Sequence, residues 1–268
     1  MSIHIYSDSL GFDTQPKTWP FELEKLQKQK VISYGGQGTG PNWSLRKLVE
    51  NLEDPLFFES EDVIIIFLSD QKRMEFPWLE KDSHSDGIFL LAEDMSVCPS
   101  GLDHQSLKQY ETYKSEIKTV ANTLGPMFLY ENVKNITFLH LLSKNFKKFK
   151  FLVFNSFNLN HFTSEYKNFN IKSTKLLDAL DFDSLNTTNF HYESVPIAWS
   201  VVRYTKKDHS IGNHMTVEQN ENFALYCNAV LNNEEPDRSW LRIRPSDKKF
   251  TSMRLVNLGD NTEEFIYD

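Results

Sequence analysis

The sequence predicts an α/β fold built on a mostly parallel sheet, and three observations carry that expectation. From residue 2 to residue 68 the segments alternate strand, helix, strand, helix, strand, an order that pairs strands in parallel through helical crossovers. The run Asp62-Val63-Ile64-Ile65-Ile66-Phe67-Leu68 is apolar without alternation, as a strand covered on both faces must be. Polar residues and glycines gather just after the strands, where an open parallel sheet binds its ligands.

Residues 2–7 read as a short strand ending in Ser7-Asp8-Ser9. Residues 18–28 read as a helix, with Trp19, Leu23 and Leu26 along one face. Val31-Ile32-Ser33-Tyr34 is a second strand, stopped by the turn Gly35-Gly36-Gln37-Gly38-Thr39-Gly40. A helix over 42–52 sets Leu45, Leu48, Val49 and Leu52 on one side, and the strand at 62–68 follows. Residues 70–103, with Pro77, Gly87, Pro99 and Gly101, interrupt the pattern and read as an irregular insertion. Helices are expected at 104–123 and 131–146, then a Lys-flanked strand from Phe149 to Phe154. Residues 156–195, rich in Asn, Phe and Ser, read as a second irregular insertion. A last helix is expected over 216–231, with Phe223, Ala224, Cys227 and Val230 at helical spacing. The stretch 236–268 reads as a peripheral tail, its short pieces such as Trp240 to Ile243 suggesting a hairpin. With no internal repeat, one domain over 1–268 is the expected organisation.

Charge and composition exclude several classes. The 268 residues include 37 acidic and 29 basic ones, a formal charge of −8, which disfavours a nucleic-acid partner. The cluster Lys144, Lys147, Lys148 and Lys150 reads as a solvated helix end, its cations near the negative pole of the dipole. Cys98 and Cys227 give neither a disulfide framework nor zinc spacing. His84, His104, His140, His161, His191 and His209 show no pairing with Cys, Asp or Glu suited to a metal. No metal site is therefore expected. No stretch approaches the roughly 20 apolar residues that span a bilayer, and the first residues lack the pattern of a signal peptide. The expectation is a cytoplasmic protein, or one made inside a cell and assembled there, and the sequons at Asn42, Asn135 and Asn186 then read as chance.

Serine chemistry needs an exposed hydroxyl, an imidazole to take its proton, and donors aimed at the developing oxyanion. Tyr6-Ser7-Asp8-Ser9-Leu10-Gly11 places a serine where a strand passes into a loop. That segment resembles the first block of the SGNH (GDSL) hydrolase superfamily, Gly-Asp-Ser-Leu, with Ser7 in place of the glycine. Val31 through Leu48 is similar to the second block, and Gly38 falls on the glycine whose N–H serves the oxyanion hole. The third block, Gly-x-Asn-Asp, is absent after the strand at 62–68. Its asparagine position falls on Gln71, with Ser69 and Arg73 as competing donors. Gly212-Asn213-His214-Met215 resembles the last block, Asp-x-x-His, with Ile211 at the aspartate position and Asp208 three residues upstream.

The resemblance implies a three-layer α/β/α sandwich, flavodoxin-like, with insertions. It also implies an esterase in which Ser9 attacks and His214 shuttles the proton, oriented by Asp208 or a backbone carbonyl. Gly38, Gln71, Ser69 and Asp8 would make up the oxyanion and substrate-binding set. Small-molecule or carbohydrate esters are the implied substrates, O-acetyl groups among them, with no metal or organic cofactor needed; the charge and the lack of a long apolar run already argue against a nucleic-acid or membrane partner. Each residue also has a plain structural reading. Ser9 can cap a turn, His214 can precede a helix capped at Thr216 with Glu218 or Gln219, and Gln71 and Asp208 can be solvated. Trp78 either walls the crevice or packs beneath the insertion. The departures Ser7, Gln71 and Ile211 leave a second reading open: an SGNH-fold binding or virion structural protein, since the chain is similar to virus-encoded members with a Ser-bearing first block. A sugar-processing transferase on the same fold would use the same serine and histidine.

Overall fold

The computed structural model describes residues 1–8, 10–11, 16–36, 39–58, 61–68, 73–75, 88–91, 97–99, 115, 119, 128–156, 185–193, 197, 215, 217–242, 253–257 and 263–267. In chain order the elements are β1 (Ile3–Tyr6), α1 (Trp19–Gln27), β2 (Val31–Ser33), α2 (Pro41–Leu52), α3 (Pro55–Phe58) and β3 (Val63–Leu68). Then come β4 (Arg73–Glu75), β5 (Ile88–Leu91), β6 (Val97–Pro99), α4 (Phe128–Asn145), β7 (Lys150–Asn155) and β8 (Phe190–Glu193). After α5 (Val217–Leu231) follow a 3-10 turn at Ser239–Arg242, β9 (Met253–Asn257) and β10 (Glu263–Tyr267).

Five strands pair in the order β2-β1-β3-β7-β8, all parallel. Side chains alternate across a strand, so each strand of this sheet must bury two sets. Ile65, Phe67, Leu152 and Phe154 pack with Trp19 and Leu23 of α1 and Phe223, Tyr226 and Cys227 of α5. Ile64, Ile66, Phe151 and Val153 pack with Leu48 of α2 and Ile136 and Leu139 of α4. Helices thus cover both faces, and the α/β/α layering is met.

The first face is dominated by aromatic rings. Trp19 and Phe223 meet edge-on at 4.9 Å, and Phe223 meets Phe154 at the same separation. Each such ring contributes about 1.5–3 kcal/mol on leaving water. Helix starts follow local chemistry. Thr18 precedes α1 with Pro20 in its first turn, and Gly40 precedes α2 with Pro41 at the first helical position. Lys28, left-handed at φ 55°, ends α1.

Several expectations need amendment. Leu26 and Val49, placed on buried faces by spacing, are 42% exposed each. The stretch 70–103 holds an antiparallel meander, β4-β5-β6. Strands of three or four residues are too short for a period of two to register. The stretch 156–195 holds β8, the fifth strand of the main sheet. Phe190 and Tyr192 face the α2/α4 core while His191 and Glu193 face the other way, so its apolar content is halved. Trp240 and Leu241, assigned to a peripheral tail, lie in the first core at 5% and 1% exposure. The hairpin of that stretch is β9-β10, further along the chain. Of the helix expected at 104–123, Ser115 and Thr119 are described and helical, with Thr119 Oγ1 donating to the Ser115 carbonyl at 2.9 Å.

Candidate active site

The strand order fixes where a ligand crevice belongs. From β1 the chain crosses to β2 on one side and then to β3 on the other, so the order in which strands are added reverses between β1 and β3 while all stay parallel. In open α/β sheets the crevice lies outside the carboxyl ends at such a switch point. The segment leaving β1 there is Ser7-Asp8, both fully buried.

Hydrogen bonds stitch this segment to the turn after β2. The Ser7 carbonyl accepts from the Gly36 N–H at 3.1 Å and from Thr39 Oγ1 at 3.4 Å, while the same hydroxyl lies 2.9 Å from the Gly36 carbonyl. Ser33 Oγ donates to the Gly11 carbonyl at 2.6 Å. Asp8 Oδ1 accepts from the Leu10 N–H at 3.0 Å, and the Asp8 carbonyl accepts from the Gly11 N–H at 3.3 Å. The side chain of Asp8 therefore closes its own turn, as an Asx turn does. Gly11 is required by close approach: a Cβ there would lie 2.6 Å from Ser7 Oγ and 2.9 Å from Ile5 Cγ2. Gly36 is held likewise, its Cβ position lying 2.6 Å from Thr39 Cγ2.

Of the residues that the sequence nominates, Asp8 is described. Ser9, Gly38, Gln71, Ser69, Asp208 and His214 lie outside the described residues, as do Ile211 and Trp78, and Arg73 is described in its backbone alone. The residues that flank three of them are described, however. Leu10 follows Ser9, Thr39 follows Gly38, and Met215 follows His214. Leu10 and Met215 both pack in the first core. A chain of hydrogen bonds connects them: Trp19 Nε1 donates to the Leu10 carbonyl at 2.7 Å, Asn220 Oδ1 accepts from the Trp19 N–H at 2.8 Å, and Asn220 Nδ2 donates to the Met215 carbonyl at 3.2 Å.

Further polar groups at the same edge escaped the sequence reading. Asn155 ends β7, and the Ser156 N–H donates to the Leu68 carbonyl of β3 at 3.0 Å. Asn155 Nδ2 donates to the Tyr192 hydroxyl, and Asn132 Nδ2 reaches Asn155 Oδ1 at 3.4 Å. Among the described residues, buried Ser156 Oγ and Asn132 Oδ1 meet no hydrogen-bond partner. The look at polar residues just after a strand that nominated Ser69 and Gln71 after β3 would have found Asn155-Ser156 after β7.

At the end of β8, Tyr226 Oη donates to Glu193 Oε2 at 2.6 Å and lies 2.8 Å from His191 Nε2, while Arg238 Nε donates to the same carboxylate oxygen at 2.9 Å. The hydroxyl proton is committed to Glu193, so neutral His191 carries its proton on Nε2. Burial, the largest influence, brings the His191 pKa down to about 4 and pushes that of Tyr226 up. Burial also raises the Cys227 thiol. A second histidine–carboxylate pair, His4 Nε2 to Asp62 Oδ2 at 3.2 Å, sits at the amino edge, opposite the crevice. Burial lowers the His4 pKa while Asp62 opposes that shift. Asp62 also accepts from the Ser2 N–H at 2.5 Å, so this pair fastens the start of β1 to β3.

Among the described residues no group of three His, Cys, Asp or Glu could hold a metal ion, and no helix is long and apolar enough to cross a membrane. No family model matches the chain, and no curated protein matches it. Among solved structures, the chain is similar to a protein of Desulfitobacterium hafniense DCB-2 proposed to be a lipolytic member of the G-D-S-L family. The identity is 13% and the TM-score 0.36, over 85% of this chain and 98% of that one. A likeness so shallow carries no argument, and the sheet stands on its own strand order.

Proposed function

We propose that the chain is a serine ester hydrolase of the SGNH type, acting on an acyl or O-acetyl ester, carbohydrate esters included. The observation that supports it most is the stitching of Ser7 to Gly36 and Thr39 at the β1/β3 switch point. The residues flanking Ser9 and Gly38 in sequence belong to this one hydrogen-bonded corner, where the crevice of such a sheet belongs.

In this reading the Ser9 hydroxyl attacks the ester carbonyl and its proton passes to His214. The oxyanion of the tetrahedral intermediate accepts from the N–H groups of Ser9 and Gly38, with Gln71 or Ser69 as a third donor. Collapse expels the alcohol, protonated by His214, and water then cleaves the acyl-serine by the reverse proton path. With Ile211 at the usual aspartate position, Asp208 or a backbone carbonyl would fix the imidazole tautomer. A misassigned tautomer costs several orders of magnitude in rate.

The test is covalent labelling by a fluorophosphonate. The expected result is stoichiometric labelling of the native chain, none in Ser9→Ala and strong slowing in His214→Ala. A folded native protein that stays unlabelled would rule out an activated serine and favour the binding or virion role, which the departures at Ser7, Gln71 and Ile211 also suit.

A further inference from the structure

We infer that Trp19 and Asn220 are positioning residues that couple the turn bearing the nucleophile to the segment bearing the base; the catalytic consequence rests on the serine–histidine reading above. The two segments lie some two hundred positions apart and have no covalent reason to keep a fixed spacing. Asn220, in the first turns of α5, bridges them through one side chain. Its carbonyl oxygen takes the Trp19 N–H at 2.8 Å, and its amide nitrogen holds the Met215 carbonyl at 3.2 Å. Asn220 thus supplies, from another helix, an acceptor for the first N–H of α1, one of the donors a helix start leaves without an intrahelical partner. Trp19 carries the link onward, its indole N–H meeting the Leu10 carbonyl at 2.7 Å.

The relay is rigid where it matters. Trp19 is fully buried, and its ring packs against both Phe223 at 4.9 Å and Phe67 at 5.5 Å. An indole buried against those rings has little freedom to follow a drifting carbonyl, so the Leu10 carbonyl is held to it. Both ends of an asparagine amide are used with opposite polarity, one accepting and one donating. No other side chain of that length does both at fixed spacing. The bridge therefore sets the residue after Ser9 and the residue after His214 in one frame. Catalysis is steep in such spacing, since a misplacement of about 1 Å can cost roughly a hundredfold in rate.

Two variants and two measurements test this. In Asn220→Ala, amide exchange followed by mass spectrometry should rise about tenfold or more in peptides covering residues 8–11 and 212–218, with β3 and β7 unchanged. Fluorophosphonate labelling of Ser9 should slow roughly tenfold to a hundredfold, and its pH midpoint should move as the imidazole loses its fixed surroundings. Asn220→Asp keeps the acceptor for Trp19 and loses the donor to Met215. It should melt near the native temperature and restore protection at 8–11, yet still label slowly. Native exchange at 8–11 together with native labelling in a folded Asn220→Ala protein would overturn the inference. If the native chain itself does not label, the esterase reading fails, while the exchange arm still decides whether the two segments are coupled.

Discussion

Replacing His191 by glutamine should abolish a defined part of the acid sensitivity of this fold. In the native protein Nε2–H of His191 faces the Tyr226 hydroxyl at 2.8 Å, and that hydroxyl gives its own proton to Glu193. A second proton on the ring would sit in a buried place, and that burial outweighs the attraction of Glu193, with Arg238 and Lys150 adding to the cost and Glu235 opposing it. The folded pKa falls from 6.5 to about 4. The unfolded chain therefore binds this proton at a higher pH than the native chain does. Stability tied to His191 is fully present above pH 6.5 and is lost as pH falls toward 4. At about 1.4 kcal/mol per pH unit, the gap is worth about 3 kcal/mol. Urea unfolding at a series of pH values from 7.5 to about 4 measures it. His4 and His140, also lowered by burial, add slopes of the same sign, so the informative quantity is the native curve minus the His191→Gln curve. That difference should shrink steadily with acid. Parallel curves over the whole range would refute the reasoning.

Two further outcomes follow from the geometry. Lys150 Nζ donates to the carbonyls of Val230 and Leu231 at 2.7 and 3.1 Å and to Asn233 Oδ1 at 2.9 Å, closing the end of α5. Lys150→Met keeps the stem and removes all three bonds, so it should lower unfolding free energy by about 2 kcal/mol at unchanged urea slope. A loss below about 0.5 kcal/mol would show that water serves those carbonyls equally well. Gly11→Ala drives a methyl against Ser7 Oγ and Ile5 Cγ2, and should cost about 1–3 kcal/mol. Ser7→Gly in the same chain should recover part of that loss, read as a non-additive double-mutant cycle.

The layered sheet was legible because its strongest signals are local. Val63–Leu68 is apolar throughout and proves to be the third strand of the order, buried on both sides. β8 was hidden because the polar pair on its second buried face, His191 and Glu193, finds partners on α5 and in the loop beyond it rather than in sequence. The meander at 73–99 was hidden because three-residue strands are defined by pairing, not by pattern. At the candidate site, the sequence indicated that the turns after β1 and β2 converge, and the Ser7, Gly36 and Thr39 bonds join those turns. It could not indicate the Trp19–Asn220 bridge, whose partners stand 201 positions apart. Nor could it indicate that Asp8 closes its own turn, since the same Asp-Ser pair also suits a substrate-facing carboxylate.

The covering of the first face by α5 has a consequence during synthesis. The ribosome completes β1, β3 and β7 long before it reaches Leu231, so Phe67, Phe154 and Trp19 wait for the rings of Phe223 and Tyr226. At roughly 5–20 residues per second, translating from Asn155 to Leu231 takes about 4–15 s. For that interval the nascent chain presents one greasy side of a sheet whose first four strands are already made, a surface suited to a chaperone and hazardous in a crowd of unfinished copies. A chain truncated before residue 217 would keep that hazard permanently.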